Sequence, residues 1–353
     1  MVIRRFARLS LLVGVGVLGL LPALGGGTFS TLAQGTGCGI EGFTQQSLEI
    51  MAPAAPGGGW DTTAREMQRV LNESGVATDV DVFNVEGAGG TVGLAQLVND
   101  ERGNDHQLMM MGLVMVGGIA TNQSPMTLDD VTPIARLTTE FEVIVVPSDS
   151  EFQTLADLIA AFQADPTAIS WGGGSAGGTD HILVGLLAQA VGIDPTQVNY
   201  VPFSGGGEAL AAILGGQVSA GVSGVGEWRD QIASGELRAL AVSGAAVGSA
   251  TPEAGGAATP TADLTVAPTL REQGVDLELS NWRGLVAPPE VSREGRQCLI
   301  DLVEQMQATE QWGATLTQYG WQDFFLAGDE YGAFLVEERD RVTTILQSLG
   351  LVA

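Results

Sequence analysis

With 41 Asp+Glu against 15 Lys+Arg in 353 residues, the chain carries a formal net charge of −26, which excludes nucleic acid and anionic membrane surfaces as partners. A hydrophobic content of 45% without long charge runs is enough for two domains of ordinary size. Neither of the two Cys has a second Cys or a His at ligand spacing, so no metal site is expected.

The chain opens as an export signal: Arg4, Arg5 and Arg8 precede an apolar run over 9–24 and a small-residue stretch ending Thr31-Leu32-Ala33. Residues 1–33 are therefore read as a signal peptide cleaved after Ala33, and the mature chain as periplasmic or otherwise extracytoplasmic. The run is too short and too rich in glycine for a membrane span, and no later segment has eighteen uninterrupted apolar residues. Two Cys in an exported chain suggest one disulfide, Cys38 to Cys298. The alternative is lipidation of Cys38, which has the preceding Gly of a lipoprotein site but lacks its Leu three residues upstream.

The next pattern repeats four times: apolar strand, Gly-rich loop, amphipathic helix. Leu48–Ala52 leads through Pro56-Gly57-Gly58-Gly59 to a helix over 62–72. Asp79–Asn84 leads through Glu86-Gly87-Ala88-Gly89-Gly90 to a helix over 91–98. Ala168–Trp171 leads through Gly172–Gly178 to a helix over 179–191, and Val198–Pro202 leads through Ser204–Gly207 to a helix over 208–214. Leu108–Met111, Phe141–Pro147, Ser219–Val222 and Leu237–Val242 read as further strands, 245–262 as an exposed low-complexity loop, and Leu277–Val286 as a last strand. From Val291 onward the period is helical, with Trp312, Trp321, Phe324 and Phe334 on a packing face. The architecture is α/β with two lobes, 34–143 plus 245–353 and 144–244, and a ligand cleft between them.

The first loop is an anion cradle. Its glycines let the backbone approach a ligand closely, Asp61 or Thr62 can cap the helix that follows, and the helix's unpaired N–H groups point out of its positive end. Two enzyme readings compete for the third loop. Gly172-Gly173-Gly174-Ser175-Ala176-Gly177 satisfies the dinucleotide pattern G-x-G-x-x-G, but an exported protein rarely meets such a cofactor, and Asp194 precedes Pro195 instead of ending a second strand. The same residues contain G-x-S-x-G, which makes a secreted α/β serine hydrolase using Ser175 the alternative function. Its base is missing: after Ser175 only His181 follows, six residues along the same helix, and His106 lies far upstream. No catalytic residue and no cofactor are therefore assigned.

Single residues keep two readings each. Asp61 is a helix cap or a ligand contact; His181 is a structural hydrogen-bonder or a ligand contact; Trp60 and Phe203 stand where they can wall the cleft. Arg65 and Arg136 read as structural, and Glu208 as serving the first turn of its helix.

Five ordered motifs carry a family resemblance: Pro-Gly-Gly-Gly-Trp-Asp-Thr-Thr-Ala-Arg (56–65), Asn-Val-Glu-Gly-Ala-Gly-Gly (84–90), Gly-Gly-Gly-Ser-Ala-Gly-Gly-Thr-Asp-His (172–181), Tyr-Val-Pro-Phe-Ser-Gly-Gly-Gly-Glu-Ala-Leu (200–210) and Leu-Arg-Ala-Leu-Ala-Val-Ser (237–243). From about residue 46 to 348 the chain closely resembles the tripartite tricarboxylate transporter substrate-binding proteins, the Bug family. The resemblance implies a two-lobed periplasmic-binding-protein-like fold of type II. Such a receptor closes on a small organic carboxylate, a tricarboxylate or related acid, and delivers it to two membrane subunits; a monomer is expected. Carried over by position, it nominates Pro56, Gly57, Gly58, Gly59, Trp60 and Asp61 with Gly112 and Leu113 in lobe one. In lobe two it nominates Gly173, Gly174, Ser175, Gly178 and Thr179, with Phe203, Ser204, Gly205 and Gly206; His181 joins this candidate set. Two departures stand out. Glu86 replaces a basic residue that many members carry before a Pro-Gly-Ala-Gly-Gly motif whose Pro is missing here, which puts that loop's role in doubt. Glu227, placed to reach the cleft from lobe two, would disfavour a ligand carboxylate there.

Overall fold

A computed structural model describes residues 40–244 and 266–353. Its first lobe begins with β1 (Leu48–Ala52), α1 (Gly59–Ser74), β2 (Val80–Asn84), α2 (Thr91–Asp100), β3 (Gln107–Gly112) and α3 (Leu113–Thr121). Both β2 and β3 pair with β1 in parallel, the outcome that a crossover helix imposes. α1 shows why the sequence folds this way. Trp60, Thr63, Ala64, Met67, Val70 and Leu71 recur at helical spacing and are buried, while Arg69 pairs with Glu66 and Glu73 towards solvent. Gly75, at φ 74°, ends the helix in the left-handed region.

The sixteen-residue β4 (Thr132–Pro147) joins the two lobes. From Thr132 to Phe141 it pairs antiparallel with β9 (Ser280–Ala287), and β10 (Gln322–Ala327) lies along the same part. From Glu142 its partners change to β7 (Ala220–Gly224), and from Val143 β8 (Leu237–Val242) flanks its other side. The first sheet therefore runs β2-β1-β3-β9-β4-β10. The second runs β8-β4-β7-β5-β6, with β5 (Ser170–Gly173) and β6 (Asn199–Pro202) parallel to each other. The helices α4 (Leu155–Ala164), α5 (Thr179–Ala190), α6 (Gly206–Leu214) and α7 (Val225–Ser234) cover this second sheet. A small separate core of Val143, Val145, Ala209, Ile213, Val225 and Trp228 fills the face under α6 and α7. The chain is tied back to the first lobe by Ser243, whose hydroxyl donates to Leu279 O while accepting from Glu142 N–H. α8 (Arg293–Gln307), α9 (Glu310–Tyr319) and α10 (Gly328–Ser348) complete the first lobe.

Two expectations need correction. β4 starts well before Phe141, because Arg136, Thr138, Thr139 and Glu140 break the apolar pattern yet are buried. Arg136 shows how such a residue is tolerated: its guanidinium lies 3.4 Å from the Phe324 ring centroid and its Nε donates to Phe324 O at 2.7 Å. The C-terminal region is also not helical throughout, since Gln322–Ala327 forms β10 and only Gly328, at φ 62°, opens the last helix. Among the described residues no helix is long and apolar enough to cross a membrane. The expected signal peptide, Cys38 and the expected loop at 245–262 lie outside the described residues; Cys298 is buried in α8.

Candidate functional site

Three helices, α1, α5 and α6, begin around one cavity of about 360 Å³, and each starts at a glycine with no side-chain cap, so its first N–H groups are left for another acceptor. α1 belongs to the first lobe, α5 and α6 to the second. The lobes meet on two sides of the cavity. A Cβ added to Gly205 would sit 3.9 Å from Gly58 Cα, and Thr121 on α3 donates to Ala176 O at 3.4 Å.

Each loop is held from behind by a side chain of the helix it precedes. Asp61 accepts from Gly57 N–H at 2.8 Å, from Arg65 Nε at 3.0 Å and from Asn84 Nδ2 at 2.9 Å. Burial alone would push its carboxyl upward, but these hydrogen bonds hold it below the usual carboxylate range. Asp180 accepts from Gly174 N–H at 2.6 Å, and Tyr200 donates to Gly174 O at 2.8 Å. Gly177 N–H donates to His181 Nδ1 at 3.1 Å, and the His181 ring stacks on Tyr200 with centroids 4.1 Å apart. Glu208 accepts from Ser204 N–H at 3.0 Å.

Of the residues expected at the site, Gly58, Gly59, Trp60, Gly174, Ser175, Gly178, Thr179, Phe203, Ser204, Gly205 and Gly206 line the cavity. Pro56, Gly57, Asp61, Gly112, Leu113, Gly173 and His181 stand outside its lining. Their positions explain the motif in other terms. Gly57 needs its φ of 85°, a Cβ on Gly112 would meet Trp282 O at 2.4 Å, and Leu113 is fully buried. A Cβ on Gly173 would strike the Tyr200 hydroxyl and the Asp180 side chain. The doubted loop does reach the cleft: Gly87, Ala88, Gly89 and Gly90 all line it.

Sequence reasoning missed the floor. Asn281 and Arg283 of β9, Ser223 of β7, Asp180 of α5 and Asn122 of α3 line the cavity as well. Asn281 accepts from Thr179 Oγ1 at 3.2 Å. Arg283 is buried, forms a close ion pair with buried Glu140, lies 3.7 Å from Glu227 Oε1 and 5.2 Å from the Trp321 ring centroid. The available signal was a charged residue inside an otherwise apolar strand, in Asn281-Trp282-Arg283-Gly284-Leu285 and again in Glu140-Phe141-Glu142.

Carboxyls outnumber cations on this floor. Burial, followed by the charges of Asp180, Glu140 and Glu227, raises the Glu142 carboxyl well above its ordinary range. Both Glu142 oxygens are buried without a hydrogen-bond partner, so the neutral acid is the form this floor favours there. Burial also raises Asp180 to about 6, against the hydrogen bond from Gly174 N–H. Glu227 is raised to about 8 by burial and by Glu140, against the pull of Arg283. His181 is lowered to about 4 by burial. With its Nδ1 taken by Gly177 N–H and Asp180 turned to Gly174, His181 is not set up as the base of a Ser175 triad.

The comparisons agree with this arrangement. A protein of Agrobacterium vitis, described as the UPF0065 protein in the TAR-I ttuE-ttuC' intergenic region, is 27% identical over 266 residues, covering 75% of this chain and 72% of its own. The structure of the periplasmic binding protein BugD superposes with a TM-score of 0.73 at 21% identity, covering 87% of this chain and 98% of that one. MatC from Rhodopseudomonas palustris with bound malate gives a TM-score of 0.70 at 21% identity, covering 85% and 98%. Both likenesses establish the two-lobed binding-protein fold. Residues 63–351 match the family model of the tripartite tricarboxylate transporter family receptor, and the chain belongs to that family of receptors and not to a class of enzymes.

Proposed function

We propose that this receptor captures a small organic carboxylate in the periplasm and delivers it to the membrane subunits of a tripartite transporter. One observation carries the reading: the uncapped N-termini of α1, α5 and α6, drawn from both lobes, converge on one cavity lined by glycine and hydroxyl groups. A carboxylate bridging α1 and the α5 and α6 loops gains contacts only when the lobes are together, so binding and closure are one equilibrium. The lobes of this reading are 34–143 plus 245–353 and 144–244. Gly59, Ser175, Thr179 and Gly206 would supply N–H and hydroxyl donors, with Gly58 and Gly178 giving close backbone approach and Trp60 and Phe203 as walls. Malate in MatC supports a ligand of that size and charge. BugD, a periplasmic binding protein, supports the compartment.

The test is a thermal-shift screen of the protein without residues 1–33 against succinate, L-malate, adipate and citrate. A ligand present at a hundred times its Kd stabilises the folded state by about 2.7 kcal/mol, which a melting curve resolves. No shift with any carboxylate at millimolar concentration would overturn the reading.

A further inference from the structure

We propose that Glu227 sets the specificity of one end of the cleft by meeting the ligand as a neutral carboxyl, which donates a hydrogen bond to a ligand carboxylate and makes capture above neutral pH take up a proton. The inference rests on the carboxylate-receptor reading and deepens it.

The geometry comes first. Glu227 lies in the first turn of α7, and its carboxyl reaches the starts of two other helices. A Cβ on Gly206, the first residue of α6, would fall 2.1 Å from Glu227 Oε2. A Cβ on Gly59, the first residue of α1, would fall 2.8 Å from Glu227 Oε1. At both positions a methyl would press on the carboxyl, and at Gly59 on the Arg283 guanidinium as well. Helix N-termini favour an anion at this place, and the protein has put an acid of its own beside it. Yet Glu227 Oε2 is buried with no hydrogen-bond partner, and the 3.7 Å from Oε1 to Arg283 Nη2 is too long for a hydrogen bond. The same Nη2 is already engaged by Glu140.

The groups around it decide its charge. Glu140 of β4 and Asp180 of α5 disfavour its charge and Glu142 of β4 stands against it too; Arg283 of β9 and the Ser223 hydroxyl of β7 favour the charge, and Glu208 of α6 lines the same cavity. One guanidinium, spent on Glu140, does not neutralise a second buried carboxylate. An ionised Glu227 would repel a ligand carboxylate placed beside it, and the low effective dielectric of a buried site strengthens that repulsion. Protonation removes that repulsion at small cost, because the group is already raised to about 8 by burial and Glu140. The added proton also gives a residue that lines the cavity a hydrogen-bond donor in place of a second acceptor. The expected obstacle to a ligand carboxylate thus becomes a contact for it. The same site would reject a ligand that offers only a hydrogen-bond donor at that end.

Isothermal titration calorimetry tests this with succinate, L-malate, adipate and citrate, and with L-aspartate, which carries an ammonium where malate has a hydroxyl. Wild type is compared with Glu227→Gln from pH 7 to 9.5, in two buffers of different ionisation enthalpy. Wild type should take up a proton on binding above pH 8 and lose affinity about tenfold per pH unit there. Glu227→Gln keeps an N–H donor but cannot ionise, so whatever its affinity at pH 7, that affinity should stay flat to pH 9.5 and binding should release or take up no proton at this position. Glu142 and Asp180 titrate in both proteins, so the difference isolates position 227. A wild type that binds a carboxylate with no proton uptake and a flat profile would overturn this inference alone. So would tighter binding of L-aspartate that Glu227→Gln abolishes, since an ionised Glu227 would then be holding the ammonium. No binding by any of the five compounds would overturn the receptor reading together with it. The proton-uptake measurement needs no variant, so it stands even if Glu227→Gln fails to fold.

Discussion

The Asp61 carboxylate holds Gly57 N–H at 2.8 Å, so the first residue of the Gly-Gly-Gly loop is anchored by the third residue of the helix that the loop introduces. The glycines can then face the cavity without collapsing into it. Asp61→Asn keeps the shape but weakens three charge-assisted hydrogen bonds, each worth about 1.5–3 kcal/mol. The variant should lower both the melting temperature and carboxylate affinity. Because the folded-state carboxyl lies below its usual 3.8, the stability it supplies is fully present above that pH and is lost as pH falls through the folded value. Urea melts from pH 7 to pH 3 should show wild type and Asp61→Asn converging at the acid end. A gap that stays constant or widens there would exclude this role.

The glycines at the start of α6 separate steric from conformational demands. Gly206→Ala drives a methyl into the Glu227 carboxyl and should cost about tenfold or more in affinity, with the fold retained. At Gly207 a Cβ meets nothing within 4 Å, so Gly207→Ala should bind as wild type. Equal losses at the two positions would mean that α6 is needed only as a helix and not for its close approach to the floor.

The fold was legible in the repeated strand, Gly-rich loop and helix, because crossover helices force parallel pairing and each loop must then lie at a strand end. The helix starts that ring the cleft were visible for the same reason. α3 was not, since Leu113–Thr121 is apolar on nearly every side and shows no period. The floor was hidden for a different reason. Glu140, Glu142 and Arg283 are buried charges in strands, and nothing local in sequence tells a charge with a partner on another strand from one at a solvent-facing position. His181 looked like a site residue because it closes a family motif, whereas its ring braces the loop from behind, on Tyr200.

Arg283 and Glu140 form a buried pair at the junction of the lobes, so removing either partner should destabilise far more than removing both. Arg283→Met or Glu140→Gln leaves one uncompensated buried charge or an unpaired carbonyl and should cost about 3–5 kcal/mol in denaturant unfolding. Arg283→Met combined with Glu140→Met should recover part of that loss. Strictly additive losses would show that the two side chains do not act as a pair.

His181 supplies a pH signature at acid. Its imidazole is lowered by burial from 6.5 to about 4, so it stays neutral through the physiological range, with Nδ1 accepting from Gly177 N–H. A base whose folded-state value is depressed contributes stability that is fully present above its unfolded value and is lost as pH falls from about 6.5 towards 4. His181→Asn removes the titrating group while leaving a hydrogen-bonding side chain, so melting temperatures of wild type and variant should converge between pH 7 and pH 4. The depression from 6.5 to about 4 corresponds to roughly 3 kcal/mol of pH-dependent stability. The same variant addresses Ser175. A neutral His181 packed on Tyr200 is a support for the 174–178 loop, so His181→Asn should weaken carboxylate binding, and neither it nor wild type should hydrolyse an ester panel. Wild-type hydrolysis lost in both Ser175→Ala and His181→Asn would overturn that assignment.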